Sequence, residues 1–215
     1  MSRESAVLVI SSSRVHTNTL EILRLQDISS ALLEAGYSVD MLVPKKSNLL
    51  AVAISSDVRI FTPLGIPFSD LLPERPSVRR FLIRQMMFLR AYHLLANRDY
   101  SALHGFDDGA LVARTLNMMT VKRYPYVSEI HKPFSSAKKK FSFLKMSAAR
   151  KERSCIKHSA AVIFPNEDTM AVFEGKIPHA RVSVIPEPEI DITPGSFTFG
   201  DYSLAMRRIY DYVLR

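Results

Sequence analysis

One cysteine, Cys155, is all that the 215 residues contain, so no disulfide can form within the chain and no cysteine cluster can build a structural zinc site. Long apolar runs are missing as well. Nothing approaches the roughly 18 consecutive apolar residues of a spanning helix, and the five that follow Ser5 are too few for the core of a signal peptide. These absences fit a reducing cytosol and a protein that is soluble or at most rests on a membrane surface. There is no internal repeat and no low-complexity tract. With 47% hydrophobic residues the chain can bury a sizeable core, as one large domain or two small ones.

Acidic side chains are in the minority. The formal charge of +8 calls for a polyanion or an anionic surface as partner rather than for any particular fold. Six arginines lie between Arg75 and Arg98 and nine Lys/Arg between Lys132 and Lys157, so the positive charge is concentrated in two short segments.

Short apolar runs alternate with segments of helical period. "AVLVIS" (Ala6 to Ser11) reads as a strand and is followed by a helix from about Thr17 to Ala35, with Leu20, Leu23, Ile28, Ala31 and Leu32 on one side. Gly36 ends that helix, where a left-handed residue is least costly as glycine. "YSVDMLV" and "VRIF" (Val58 to Phe61) are the next strands, and a Pro-rich stretch leads into a long helix, Ser77 to Asn97. "YSALHG", a helix from about Asp107 to Met118, "YPYVSEI", a basic helical segment to His158, "AAVIF", a short helix near Glu167 to Phe173, and "RVSVI" complete the series. Strands joined by helical crossovers predict a doubly wound, mainly parallel sheet of about seven strands covered on both faces.

Ligands of such sheets bind in the crevice at the carboxyl ends of the strands. His104 is expected to end the fourth strand, His131 to follow the fifth, and Ser11 to Asn18 to form the loop after the first, all along one edge. Each candidate has a plain structural alternative. His131 can bond nearby backbone, His104 can cap the turn before Gly105, and Asp107 suits the N-cap of the following helix. Asn166 and Glu167 after the sixth strand share that ambiguity, and Cys155 fits a packed small residue.

The segments "SALHGFDDGALVARTL", "PYVSEIHKP", "RKERSCIKHSAAVIFPNEDTMAVF" and "RVSVIPEPEID" resemble the N-terminal domain of family 4 glycosyltransferases, which pair two Rossmann-like domains in the GT-B fold. The resemblance covers about Ala6 to Asp191 and rests on the order of strand ends rather than on one diagnostic motif. It implies that this domain holds the acceptor, that transfer retains configuration, and that His131 lies near the transferring sugar. Substrate contacts are then expected at Arg14, His16, His104, Asp107, Glu129, Asn166 and Glu167, with no cofactor and no metal.

Two departures accompany it. The loop after the first strand, "SSSRVHTN", lacks the family's glycine-rich turn, which leaves Arg14 and His16 as substitutes. The family's donor-site glutamates, separated by seven residues, have no counterpart. About two dozen residues follow "IPEPEID", and "SFTFGDYSLAMRRIYDYVLR" resembles the helix with which family members cross back onto the N-terminal domain. Its apolar stripe is Tyr202, Ala205, Met206, Ile209 and Val213. The expected division is a Rossmann domain over residues 1–195 and a docked helix over 196–215, with a separate donor-binding polypeptide supplying the nucleotide-sugar. The rival class is a non-catalytic module for a glycan, a lipid or a partner protein.

On the Ser77 to Asn97 helix, Val78, Phe81, Leu82, Leu89 and Tyr92 share one side. Arg79, Arg80, Arg84 and Arg90 share the other, with Ile83, Met87 and Leu94 among them. That mixture, repeated around Lys138, Lys139 and Lys140 with Phe134, Phe141 and Phe143, suits an anionic membrane surface. Single-stranded nucleic acid is the competing partner and has no motif in its favour.

Overall fold

The computed structural model describes residues 5–11, 19–45, 48–63, 76–131, 143–173, 175, 182–186 and 197–214. Seven strands, β1 (Ala6–Ser11), β2 (Ser38–Leu42), β3 (Arg59–Phe61), β4 (Ala102–Phe106), β5 (Tyr126–Glu129), β6 (Ala161–Phe164) and β7 (Val182–Val184), alternate with helices. The helices are α1 (Thr19–Glu34), α2 (Asn48–Ala53), α3 (Pro76–Asn97), α4 (Gly109–Met119), α5 (Phe143–His158), α6 (Glu167–Ala171) and α7 (Phe199–Val213). The strands form one sheet in the order β3-β2-β1-β4-β5-β6-β7, and every pairing is parallel. The chain is therefore an α/β Rossmann-like unit, and its order reverses between β1 and β4, where such folds open their crevice.

Alternation along the strands divides the core into two layers. Val7, Val9, Ala102, Phe106, Val127 and Ile163 meet α1, α2 and α7 on one face. Leu8, Ile10, Leu103, Tyr126, Val162 and Phe164 meet α3, α4 and α5 on the other. Central strands buried on both faces explain why β1 and β6 read as unbroken apolar runs. The short α2 falls between the second and third expected strands, where the sequence reading placed no element.

Helix α7 starts at a capping box, with the Thr198 side chain accepting from the Asp201 backbone and the Asp201 carboxylate accepting from Thr198. Its stripe is close to the expected one. Tyr202, Met206 and Ile209 are buried and Ala205 and Val213 half-buried, but the face also includes Ser203 and Tyr210. Ser203 donates to the Glu34 carboxylate at 2.6 Å, tying α7 to the end of α1.

Helix α3 is turned relative to expectation. Its buried stripe is Met87, Ala91, Leu94 and Leu95, whereas Phe81, Leu89 and Tyr92 are exposed. Met87 and Leu94, expected among exposed arginines, instead face the sheet. The helix is apolar on two arcs, and the one carrying Ala91 packs into the cluster that includes Leu8, Ile10 and Leu42 of the sheet and Ala113 and Leu116 of α4. In α1, likewise, Leu23 is exposed while Ile22 and Leu25 take the core positions.

Two glycines set the distance between α4 and the sheet. A Cβ on Gly109 would stand 1.9 Å from the Ile10 carbonyl oxygen, and one on Gly105 would stand 2.3 Å from Ala110 Cα. Both obstacles are backbone and cannot rotate away. Gly36 differs, since it has φ +87° but nothing within 4 Å of an added Cβ. Gly109→Ala is therefore expected to cost at least about 3 kcal/mol, and Gly36→Ala only the left-handed strain of about 1–2 kcal/mol. Urea denaturation of the two variants checks the ranking.

Candidate functional site

The carboxyl ends of β4 and β5 are joined by the turn that follows β4. Asp107 adopts φ 47°, a left-handed conformation uncommon outside glycine, and its N–H donates to the Glu129 carbonyl at 2.8 Å. Its carboxylate Oδ1 accepts from the His131 backbone N–H, also at 2.8 Å. Asp107 thus joins two strand ends, and the N-cap position of α4 belongs to Asp108, without a side-chain cap bond. The residue turns the chain and fixes the start of the segment that carries His131.

Behind that turn lies a buried polar chain. Glu129, the last residue of β5, is 2% exposed. One of its carboxylate oxygens, Oε1, lies 2.6 Å from His131 Nε2, and the other, Oε2, lies 3.0 Å from His104 Nε2. His104 Nδ1 is in turn 2.9 Å from the Tyr210 hydroxyl on α7. The His104 and Tyr210 rings stack with centroids 6.2 Å apart, and Phe106 lies 5.1 Å from the His131 ring. Parallel pairing brings these groups together, since His104 registers with Val127 and Phe106 with Glu129.

Burial pushes the Glu129 carboxyl upward, but hydrogen bonds from His104 and His131 and their positive charge outweigh it, leaving the group at about 2 against an ordinary 4.5. Tyr210, fully buried beside that carboxylate, is raised well above 10 and keeps its proton. Cys155 is pushed to about 11, first by burial, and its thiol donates to the Ala110 carbonyl at 3.0 Å. It is a packed thiol, held as a small core residue.

Several sequence expectations are corrected here. His104 does not end its strand; it is an interior residue of β4, fully buried, and its ring points under α7 rather than into the edge crevice. Glu129 is enclosed rather than open to the edge, with both carboxylate oxygens engaged by histidines. His131 does stand just past β5 at the expected edge, but its side chain is only 5% exposed. Asn166 caps α6, its Oδ1 accepting from the Thr169 N–H at 2.8 Å, and Glu167 lies exposed in that helix's first turn. Arg14, His16, Lys138, Lys139 and Lys140 lie outside the described residues, as do the side chains of Arg79 and Arg80. Arg84 and Arg90 are described, and they lie 5.9 and 5.6 Å over the rings of Phe81 and Phe61.

Tyr210 was missed by the sequence reading. Its spacing was visible, four residues after Met206 and three before Val213. Among the described residues no group of three or more His, Cys, Asp or Glu is arranged to hold a metal ion. A recess of about 420 Å³ lies away from His131, between α7 and the strands β6 and β7, lined by Ala161, Ser183, Ile185, Ala205 and Arg208.

The depressed Glu129 carboxyl has a pH consequence with a definite sign. A group that ionises more readily in the folded state contributes stability above its unfolded value, and this is lost as pH falls toward the folded value. Wild-type stability should therefore decline between pH 4.5 and about 2 through this group. Glu129→Gln should be less stable at pH 7 and show a shallower decline over that window, measured by urea denaturation at successive pH values.

The sequence matches the family described as Glycosyltransferase Family 4 over residues 24–188. No curated protein sequence shows significant similarity to the chain. A solved structure of sucrose-phosphate synthase from Thermosynechococcus elongatus superposes with a TM-score of 0.65 at 16% identity, covering 98% of this chain and 100% of that one. Arabidopsis thaliana UGT89C1 complexed with UDP gives 0.59 at 16% identity, over 94% of this chain and 56% of that one. A putative UDP-N-acetylglucosamine 2-epimerase from Listeria monocytogenes gives 0.56 at 11% identity, over 84% and 44%. The chain spans about half the length of the last two proteins and 49% of a second sucrose-phosphate synthase structure. At these identities the likeness establishes the fold, one Rossmann-like half of a GT-B architecture. With the family match extending over most of its length, the chain belongs to glycosyltransferase family 4.

Proposed function

We propose that the chain is the acceptor-side half of a glycosyltransferase. A sugar passes from a nucleotide-sugar to a cell-envelope or polysaccharide acceptor, and the nucleotide-sugar is held by a separate donor-binding polypeptide. The family match over residues 24–188 carries this reading. The position of His131 just beyond β5, at the carboxyl edge of the sheet, supports it. In this reading His131 bonds the transferring sugar, Asp107 holds the backbone that presents it, and Arg14 and His16 contact acceptor hydroxyls or phosphate.

A non-catalytic module that binds a glycan, a lipid or a partner protein is the second reading. The observation in its favour is the 5% exposure of the His131 side chain, which leaves little of the ring for a substrate. Donor binding separates this chain from a whole enzyme. The acceptor-half assignment predicts that the chain alone binds uridine and guanosine sugar diphosphates weakly or not at all in calorimetry, and micromolar binding would contradict it. Adding a donor-binding partner should restore turnover in the first reading and give none in the second.

The same reading places the domain against the inner face of an anionic membrane. No helix among the described residues is long and apolar enough to cross one, so the contact is superficial. Exposed Phe81, Leu89 and Tyr92 on α3, with Arg84 over the Phe81 ring, combine apolar groups and positive charge as headgroup-level surfaces do. Replacing Phe81, Leu89 and Tyr92 by serine should reduce sedimentation with anionic liposomes and leave the melting temperature within about 2 °C. Unchanged sedimentation of that variant would contradict membrane contact through α3.

A further inference from the structure

Away from the crevice, at the edge formed by β2 and β3, four side chains share one face of the sheet. Asp40 registers with Arg59 and Leu42 with Phe61, and alternation along each strand turns all four toward α3. Leu42 lies in, and Phe61 packs against, the apolar cluster that contains Met87 and Ala91. Asp40 is buried, and both of its oxygens are engaged. Oδ1 accepts from Arg59 Nε at 2.7 Å, and Oδ2 accepts from Arg98 Nη1 and from the Tyr100 hydroxyl. The Arg98 guanidinium also lies 5.4 Å from the centroid of the Phe61 ring, and that of Arg90 lies 5.6 Å from the same centroid. Three guanidinium groups are thus linked through one carboxylate and one ring.

Their charges do not balance. Three positive groups against the single negative charge of Asp40 leave an excess of two. Arg90 has neither a carboxylate nor a hydrogen-bond partner among the described residues; its Nε is enclosed without an acceptor, and its Nη groups reach solvent. Donors left in that state in a folded chain call for an acceptor from outside it. The side chains of Arg59 and Arg98 are 52% and 33% exposed, so an incoming group can reach the cluster. We infer that Arg90, Arg98 and Arg59, gathered beside Phe61, form a binding site for a phosphate group. A phosphate monoester carries about −1.5 to −2 at pH 7, which matches the excess, whereas a carboxylate would leave half of it unmet. Guanidinium forks also pair with phosphate oxygens two at a time. The site is separated from β5 by β1 and β4 and does not depend on the acceptor-half reading. Only a lipid headgroup as the source of the phosphate rests on the membrane contact through α3, where exposed Leu89 adjoins Arg90.

Proton–nitrogen NMR of the arginine Nε–H groups in the full chain, titrated with inorganic phosphate at constant ionic strength, tests the site. Single lysine variants assign Arg90 and Arg98. Both resonances should shift saturably with phosphate, and sodium chloride should not reproduce the shift. Arg90→Gln removes no hydrogen bond within the described residues and should fold, yet weaken the phosphate affinity read at Arg98 by about tenfold. Arg90→Lys keeps the charge without the fork and should fall between the two. Sedimentation with phosphatidylcholine vesicles containing phosphatidic acid identifies the source. A headgroup phosphate predicts sedimentation that falls in Arg90→Gln and is competed by inorganic phosphate. A soluble phosphate compound predicts sedimentation unchanged by Arg90→Gln while the phosphate affinity drops. The absence of a saturable shift in the wild type, which requires no variant to fold, would overturn the site. So would an unchanged phosphate affinity in folded Arg90→Gln.

Discussion

A carboxylate taken out of water without partners costs several kcal/mol or more, and Glu129 is almost wholly enclosed at the end of β5. Two histidines satisfy it, one from the neighbouring strand and one from its own chain two residues on. That requirement fixes the register of β4 against β5, holds the strand end where the chain leaves toward the crevice, and recruits Tyr210 from α7 to complete the bonding of His104. Removing any one partner leaves the others with an unsatisfied buried polar group, which is costlier than never having built the chain.

The same region depends on close backbone approach. Gly109 lets α4 start against the Ile10 carbonyl and Gly105 lets β4 pass beneath Ala110, so the turn containing Asp107 is held at the switch between β1 and β4. Asp107 then caps the N–H of His131. Steric constraint on one side of the strands and polar constraint on the other leave the His131 segment little freedom at its start. Pre-organisation of this kind would suit the sugar contact proposed for His131.

The order of elements was legible because parallel strands buried on both faces and helices of regular period leave strong apolar patterns. Side-chain destinations were less so. His104 lies next to Gly105 in a stretch that also reads as a strand end, and nothing local says that β4 continues to Phe106. Helix α3 offers two apolar arcs, and only the sheet decides which one is buried. Glu129 looked like a crevice ligand because a sequence shows that a carboxylate is present but not that two imidazoles from different positions will enclose it. Tyr210 could have been found from its spacing to Met206 and Val213, whereas its bond to a histidine over a hundred residues away could not.

One buried polar chain, from Tyr210 through His104 and Glu129 to His131, connects the C-terminal helix to the crevice. A double-mutant cycle between Tyr210→Phe and Glu129→Gln, read by urea denaturation at pH 7, tests it across the intervening His104. If the chain acts as a unit, the two changes should be non-additive, with an interaction of at least about 1 kcal/mol. Additivity within about 0.5 kcal/mol would show that Tyr210 and Glu129 are uncoupled and that the crevice is independent of α7.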